Sequence, residues 1–231
     1  MKIGLILPTF APDLQLAEQA LNEIATEGFN GAFVYDHLWP MHHRERPAIA
    51  AFPALGALSA HRREVTLGTL VARMGNVAPQ ILVRELRTAA ALCSGDFIAG
   101  LGTGDHLSAE EYEGYGLRFG SAAERQGELT EVARTLLEEG IEVWVGGGSP
   151  STDRLTRDLG VTLNLWGKTP EEVAERARIL PTSWAGILPG DEDGATHLLR
   201  ALAGAGTSWA VFAWPGKLDL LAGARAAAGL I

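Results

Sequence analysis

The feature that most constrains this chain is an alternation repeated from end to end. Short runs that are apolar on both faces are each followed by a stretch with helical period. Eight such runs occupy 3–7, 31–35, 65–71, 97–101, 142–145, 161–165, 184–188 and 209–213. Runs of this length and character suit strands buried on both faces, and no hairpin turn joins one to the next.

The intervening stretches carry helix signals. Leu14, Ala17, Leu21 and Ile24 mark one apolar face, with Asp13 expected as the cap and Gly28 as the stop. Pro79 is expected to open the third helix, with Leu82, Leu86 and Ala89 turned inward and Gly95 closing it. Ser121 precedes Glu124 by three residues, and Thr169-Pro170-Glu171-Glu172 repeats that spacing with proline at the first helical position. Both read as capping boxes. The last two units carry weaker patterns.

Alternating strands and helices give either a closed barrel or a doubly wound open sheet. Chemistry-capable residues follow nearly every strand, as expected where eight βα loops share one rim. The expected fold is therefore α/β, a single (β/α)₈ TIM barrel over 1–231, compact and with shortened loops. At 231 residues the chain lies between the typical barrel and its working minimum. Its 47% hydrophobic and 20% charged composition can bury a core without a disulfide or a metal.

Composition also removes function classes. The single cysteine, Cys93, excludes an internal disulfide and a cysteine-rich zinc site, and its place at the end of a helical apolar pattern reads as an inert buried thiol. The opening apolar run is broken by Pro8, and no later stretch reaches membrane-spanning length without a charge or turn residue. A net charge of −9 argues against a nucleic-acid binder. No membrane contact, a cytoplasmic location and a small-molecule substrate are expected, with a homodimer left open.

The strand ends carry the candidate chemistry. Asp36 and His37 follow the second run, with Trp39 beyond them; a histidine there can move protons near neutral pH, with Asp36 orienting its ring and Trp39 walling the pocket. A loop histidine bonded to local backbone reads equally well. His42 and His43 lack a carboxylate at metal-site spacing and read as solvated, so no metal is expected. Gly100-Leu101-Gly102-Thr103-Gly104-Asp105 follows the fourth run, where glycines let a flat ligand approach the backbone and Thr103 and Asp105 offer it hydrogen bonds. The third glycine is misplaced for a dinucleotide fingerprint. Gly146-Gly147-Gly148-Ser149-Pro150 leads into a helix, with Ser149 as cap and Pro150 as its first residue. Free amides and the helix dipole there suit a phosphate, although a tight turn is the plainer alternative.

Taken in order, M-K-I-G-L-I-L-P, G-F-N-G-A-F-V-Y-D-H, V-T-L-G-T-L-V-A-R, F-I-A-G-L-G-T-G-D, E-Y-E-G-Y-G-L-R-F and V-W-V-G-G-G-S-P resemble the luciferase-like flavin and deazaflavin oxidoreductases over residues 1 to about 167. Asp36-His37 with G-T-G-D most resembles the branch that uses the deazaflavin coenzyme F420. The resemblance implies a cofactor in the barrel mouth and hydride transfer between its C5 carbon and a small organic substrate. It implies a cis peptide at Leu70–Val71 against the ring, His37 and Asp105 as catalytic groups, and Asp36, Thr103 and Gly104 beside the cofactor. Gly146, Gly147, Gly148 and Ser149 would hold its phosphate, with Arg44, Arg46, Arg73 and Lys168 as contacts for an acidic tail. The chain departs from the family in having Asp105 where related dehydrogenases carry Glu, and in short connections before the fifth strand and after the seventh.

Alternatives come from other classes. An FMN-dependent monooxygenase would bring oxygen chemistry to the same mouth. A phosphate-binding lyase or isomerase needs a Schiff-base lysine or paired carboxylates there, and the lysines are poorly placed for it. A cofactor-binding barrel without turnover would keep the seat and lose the chemistry.

Overall fold

A computed structural model describes residues 1–40, 42–61 and 64–230. Its strands are β1 (Lys2–Ile6), β2 (Gly31–Val34), β3 (Thr66–Arg73), β4 (Phe97–Gly102), β5 (Glu142–Gly147), β6 (Thr162–Trp166), β7 (Thr182–Gly186) and β8 (Trp209–Ala213). Each pairs in parallel with the next, and β1 closes on β8, forming a closed eight-stranded barrel. The helices are α1 (Gln15–Thr26), α2 (Ala51–Leu58), α3 (Pro79–Leu92), α4 (Ala109–Gly114), α5 (Ala122–Glu138), α6 (Pro150–Leu159), α7 (Pro170–Ala177), α8 (Glu192–Gly204) and α9 (Asp219–Ala227). Among the described residues no helix is long and apolar enough to cross a membrane.

All eight strand-like runs are strands, with small shifts at their ends. The largest shift is at β7, which starts two residues before the expected run because Thr182 and Ser183 are strand residues despite their polarity. Both are buried, and the Ser183 hydroxyl accepts a hydrogen bond from Asn164 Nδ2 at 3.0 Å inside the barrel. Ile187, expected inside that strand, lies beyond it and is exposed.

Helix ends follow local chemistry closely. Both capping boxes form, at Ser121–Glu124 and Thr169–Glu172. Gly28 follows α1 with φ +69°, a conformation that glycine adopts without a Cβ penalty. Asp13 is not the cap of α1: Leu14 holds that position, and Asp13 Oδ1 instead accepts from the Gln15 amide at 3.0 Å. Gly95 does not close α3, because the chain is already extended at Cys93.

Two apolar layers form the core. The larger lies between the barrel and its helices; the smaller fills the barrel interior with Ile6, Phe33, Leu70, Ile98, Trp144, Ala185, Trp209 and Val211. Phe33 and Trp144 stack at 5.5 Å, and Trp209 meets both rings edge-on. These rings plug the interior below the C-terminal strand ends, so a ligand cavity can open only above them. Cys93 is half-buried, and burial pushes its thiol up to about 11, which leaves it protonated and inert. The seam between the first and last strands is stapled from outside. Arg225 of α9 donates to the carbonyls of Glu27 at 2.7 Å and Gly28 at 3.0 Å, with its guanidinium 4.4 Å from the Phe29 ring.

Candidate active site

A cavity of about 560 Å³ opens at the C-terminal ends of the strands, within the size range of small-molecule sites. Its floor is an irregularity between β3 and β4. The pairing register shifts between Thr69 and Ala72, at a cis peptide bond joining Leu70 to Val71. Glycines make room for this bulge: a Cβ on Gly100 would stand 2.1 Å from the Thr69 carbonyl oxygen, and one on Gly102 would stand 2.5 Å from Val71 Cγ2. The Thr69 hydroxyl donates to the Gly100 carbonyl at 2.8 Å and ties the two strands beside it. Leu70 and Val71 both line the cavity.

His37 stands on the rim above this floor, and its ring is held by Glu111 of α4. Glu111 Oε1 lies 2.7 Å from His37 Nδ1. A carboxylate can only accept, so Nδ1 carries the proton and Nε2 is left as the ring nitrogen able to exchange one. Glu111 is 1% exposed and fully engaged. Its Oε2 accepts from the Leu38 amide at 2.6 Å and from Arg73 Nη2 at 2.8 Å, while Arg73 Nη1 donates to Oε1 at 3.1 Å. Burial alone would raise the Glu111 carboxyl, but the hydrogen bonds from His37 and Arg73 outweigh it and hold the group at about 2. Arg73 is itself 3% exposed and donates a further bond to the Asp36 carbonyl at 2.6 Å.

This arrangement corrects the role expected of Asp36. Its carboxylate does not orient His37: Oδ2 accepts from the Arg73 amide at 2.8 Å, and the His37 ring is fixed by Glu111. Burial pushes the Asp36 carboxyl up to about 6 against the pull of that bond. Arg73 is likewise no contact for an acidic tail, because both of its terminal nitrogens are spent inside the network.

Trp39 does not wall the cavity. It is 3% exposed beneath its own loop, stacked on Tyr115 at 5.5 Å with the Arg44 guanidinium 5.2 Å from its ring. The aromatic wall is made by Phe10 and Tyr35 instead. Asp105 and Thr103 sit on the rim as expected, but each has a structural task. Asp105 Oδ1 caps a 3₁₀ turn at His106–Ser108 by accepting from the Leu107 and Ser108 amides, at 3.0 Å and 3.2 Å. The Thr103 carbonyl accepts from Arg125 Nε of α5 at 2.6 Å, which pins the loop that carries Gly104.

Across the mouth the lining becomes backbone. Gly146, Gly147, Gly148 and Ser149 all face the cavity at the start of α6. Ser149 is its cap, accepting from the Thr152 amide at 3.2 Å, and Pro150 is its first residue. Gly148 has φ +149°, a conformation closed to other residues, and a Cβ on Gly147 would come within 2.5 Å of Thr152 Cγ2. Here the chain comes close to the cavity with no side chain between backbone and ligand, and a helix N-terminus behind it favours an anion. The rim thus fits a flat ring over Leu70–Val71 with a phosphate at Gly146 to Ser149. Lys168, expected as a tail contact, is paired with Glu172 at 2.9 Å. Among the described residues no lysine lines the mouth, and no group of acidic, histidine or cysteine side chains has the geometry of a metal site.

Glu111, Arg125, Phe10 and Tyr35 shape the cavity or hold its lining residues, and the sequence did not single them out. The E-Y-E-G-Y-G motif, which contains Glu111, was the available signal for the first of them.

The sequence profile of luciferase-like monooxygenases matches residues 1–186. Among curated proteins, an F420-dependent glucose-6-phosphate dehydrogenase of Nakamurella multipartita is 31% identical over 120 residues, covering 52% of this chain and 33% of that protein. One from Beutenbergia cavernae is 37% identical over 100 residues, covering 43% of this chain and 29% of its own length. The matched stretch thus spans a third or less of these two relatives. Among solved structures, an F420-dependent secondary alcohol dehydrogenase bound to an F420–acetone adduct superposes with a TM-score of 0.79 at 14% identity, covering 100% of this chain and 98% of that one. The F420-dependent tetrahydromethanopterin reductase of Methanopyrus kandleri gives 0.75 at 13%, covering 98% and 97%. At such identities the likeness is one of fold.

Proposed function

The chain belongs to the luciferase-like monooxygenase family, and from that premise we propose that it is an oxidoreductase transferring a hydride between coenzyme F420 and a small organic substrate held in the barrel mouth. The observation that carries this reading is the His37–Glu111–Arg73 network, which fixes one proton-exchanging ring over the Leu70–Val71 floor. F420-dependent relatives in the matched stretch support the choice of cofactor.

When bound, the deazaflavin supplies a ring carbon that accepts or returns a hydride. The chain's own residues do the rest. Gly146, Gly147, Gly148 and Ser149 seat the phosphate through backbone amides, and Leu70 and Val71 support the ring. His37 Nε2 takes the substrate proton as the hydride leaves, or returns it in the reverse direction. Glu111 keeps Nδ1 protonated and stabilises the imidazolium that forms, and Arg73 keeps Glu111 ionised. Asp105 shapes the rim beside the reacting groups through its cap, and Asp36 anchors β3 below them. The reading carries with it a cytoplasmic location and a homodimer, the latter checked by light scattering.

The test is calorimetric titration with purified F420 and, separately, FMN. Saturable F420 binding that exceeds FMN binding supports the reading. Preference for FMN would move the chain to oxygen chemistry, and binding of neither would end the proposal.

A further inference from the structure

The wall of the mouth beside His37 is aromatic and uncharged. Phe10, in the loop after β1, stacks on Tyr35 at the end of β2, with ring centroids 5.2 Å apart and planes 8° from parallel. His37 meets both rings edge-on, 6.1 Å from Phe10 and 5.8 Å from Tyr35. Burial pushes the Tyr35 hydroxyl up to about 12, so it stays neutral. Trp166, at the end of β6 and 48% exposed, adds apolar surface to the same cavity.

Among the described residues, the wall beside His37 carries no positive charge in usable form. Among the described residues Arg73 is the one lining lysine or arginine, and Glu111 and the Asp36 carbonyl take up its terminal nitrogens. Two further cations, Lys168 and Arg176, stand beside Gly148, the first paired with Glu172 in a half-exposed bridge and the second donating to the Gly148 carbonyl at 3.4 Å. At the wall beside His37 a substrate phosphate would meet no free cation among the described residues, and a charge removed from water without a partner is strongly disfavoured. Among the described residues lining the mouth, the anion-favouring surface is the backbone at Gly146 to Ser149, with Lys168 and Arg176 beside it, and the cofactor's phosphate would fill it. A second phosphate nearby would be repelled by the first.

We propose that the substrate is an uncharged alcohol, or the corresponding ketone or aldehyde, whose apolar group packs on the Phe10–Tyr35 wall, and that it is not a sugar phosphate. This rests on the F420 reading, which supplies the oxidant. In the oxidising direction the carbinol C–H bond breaks and its electron pair leaves as hydride to the deazaflavin. The O–H proton passes to His37 Nε2 and the C=O bond forms; the reverse reaction balances in the same way.

Binding tests this without turnover. Acetophenone, 1-phenylethanol and glucose 6-phosphate are each titrated into the protein, with and without F420, by calorimetry and by quenching of tryptophan fluorescence. The expected result is that the two neutral probes bind at least about 10-fold more tightly than glucose 6-phosphate. Phe10→Lys, which adds a cation to the wall, should narrow that gap. Phe10→Ser makes the smaller demand on folding and should weaken acetophenone about 10-fold while leaving glucose 6-phosphate unchanged. The inference is overturned if glucose 6-phosphate binds as tightly as the neutral probes, if neither neutral probe saturates, or if folded Phe10→Ser keeps full acetophenone affinity. Failure of F420 to bind refutes the proposed function instead, and the ranking measured without cofactor then judges this inference alone.

Discussion

From β2 to β4 the rim is built of buried charge, whereas from β5 to β6 it is built of backbone. On the first arc Arg73, Glu111 and His37 form one hydrogen-bonded unit in which both carboxylate oxygens and both terminal guanidinium nitrogens are used. On the second, Gly146 to Gly148 bring the main chain to the cavity with no side chain between. The difference teaches what each arc can tolerate. A charged network fixes one ring in one orientation and fails when any member is lost. A backbone seat spreads its hold over several amides that no side-chain substitution removes.

The sharpest way to break this contrast is His37→Ala. Turnover should fall by about 10²–10⁴-fold while F420 affinity holds, because the seat lies on the other arc. Rate and melting temperature measured on the same variant separate chemistry from folding, and full turnover in a folded variant would sink the catalytic role.

Glu111→Ala should be the most damaging to stability. It removes the carboxylate that pairs with the buried Arg73 guanidinium, a loss of about 3–5 kcal/mol by urea unfolding. Glu111→Gln keeps the shape and should lose less. A loss below about 1 kcal/mol in the alanine variant would mean that the pair behaves like a solvent-screened one.

On the second arc, Ser149→Ala should cost about 1 kcal/mol as a lost helix cap and leave F420 binding nearly intact. Strong loss of F420 affinity in that variant would show that the seat depends on a side chain after all. Gly147 is the poorer probe, since any side chain there collides with Thr152 and disturbs the first turn of α6.

Within the first arc, a pH dependence of stability is also expected. The Asp36 carboxyl is raised from 3.8 to about 6, so the folded chain favours its protonated form. Its stabilising contribution is complete below pH 3.8 and is lost as pH rises through about 6. Glu111 has the opposite sign: held at about 2 against an ordinary 4.5, it stabilises above 4.5 and loses that contribution as pH falls through about 2. Thermal melts of Asp36→Asn should lack the decline between pH 4 and 6 that the natural chain shows relative to it, and parallel curves would refute the Asp36 assignment.

Most of the barrel was legible because its signals are local. The capping boxes at Ser121 and Thr169, the Ser149-Pro150 helix start and the apolar strand runs each depend on neighbours within a few residues. The centre of the site was not legible for the same reason. Glu111 reaches His37 across 74 positions, and nothing within a few residues of either marks them as partners. Asp36, adjacent in sequence, was the natural choice to orient the ring, but its carboxylate bonds the Arg73 amide instead. Trp39 was misplaced because its burial depends on Tyr115 and on Gly114, where a Cβ would stand 2.2 Å from the indole. Proximity in space, set by closing the barrel, decided all three.

That closure has a consequence for how the chain comes to be folded. β1 is paired on one side by β2 and on the other by β8, and Arg225 ties the seam over a separation of 197 residues. A chain synthesised from its N-terminus must therefore carry β1 with one edge unpaired until the last strand emerges, and an unpaired strand edge is a template for association with other chains. Joining the seam also pairs the two strands farthest apart in sequence, and non-local pairings of this kind are slow to form. The slow step in refolding should be this last pairing, and the species that waits for it should be the one most prone to aggregate.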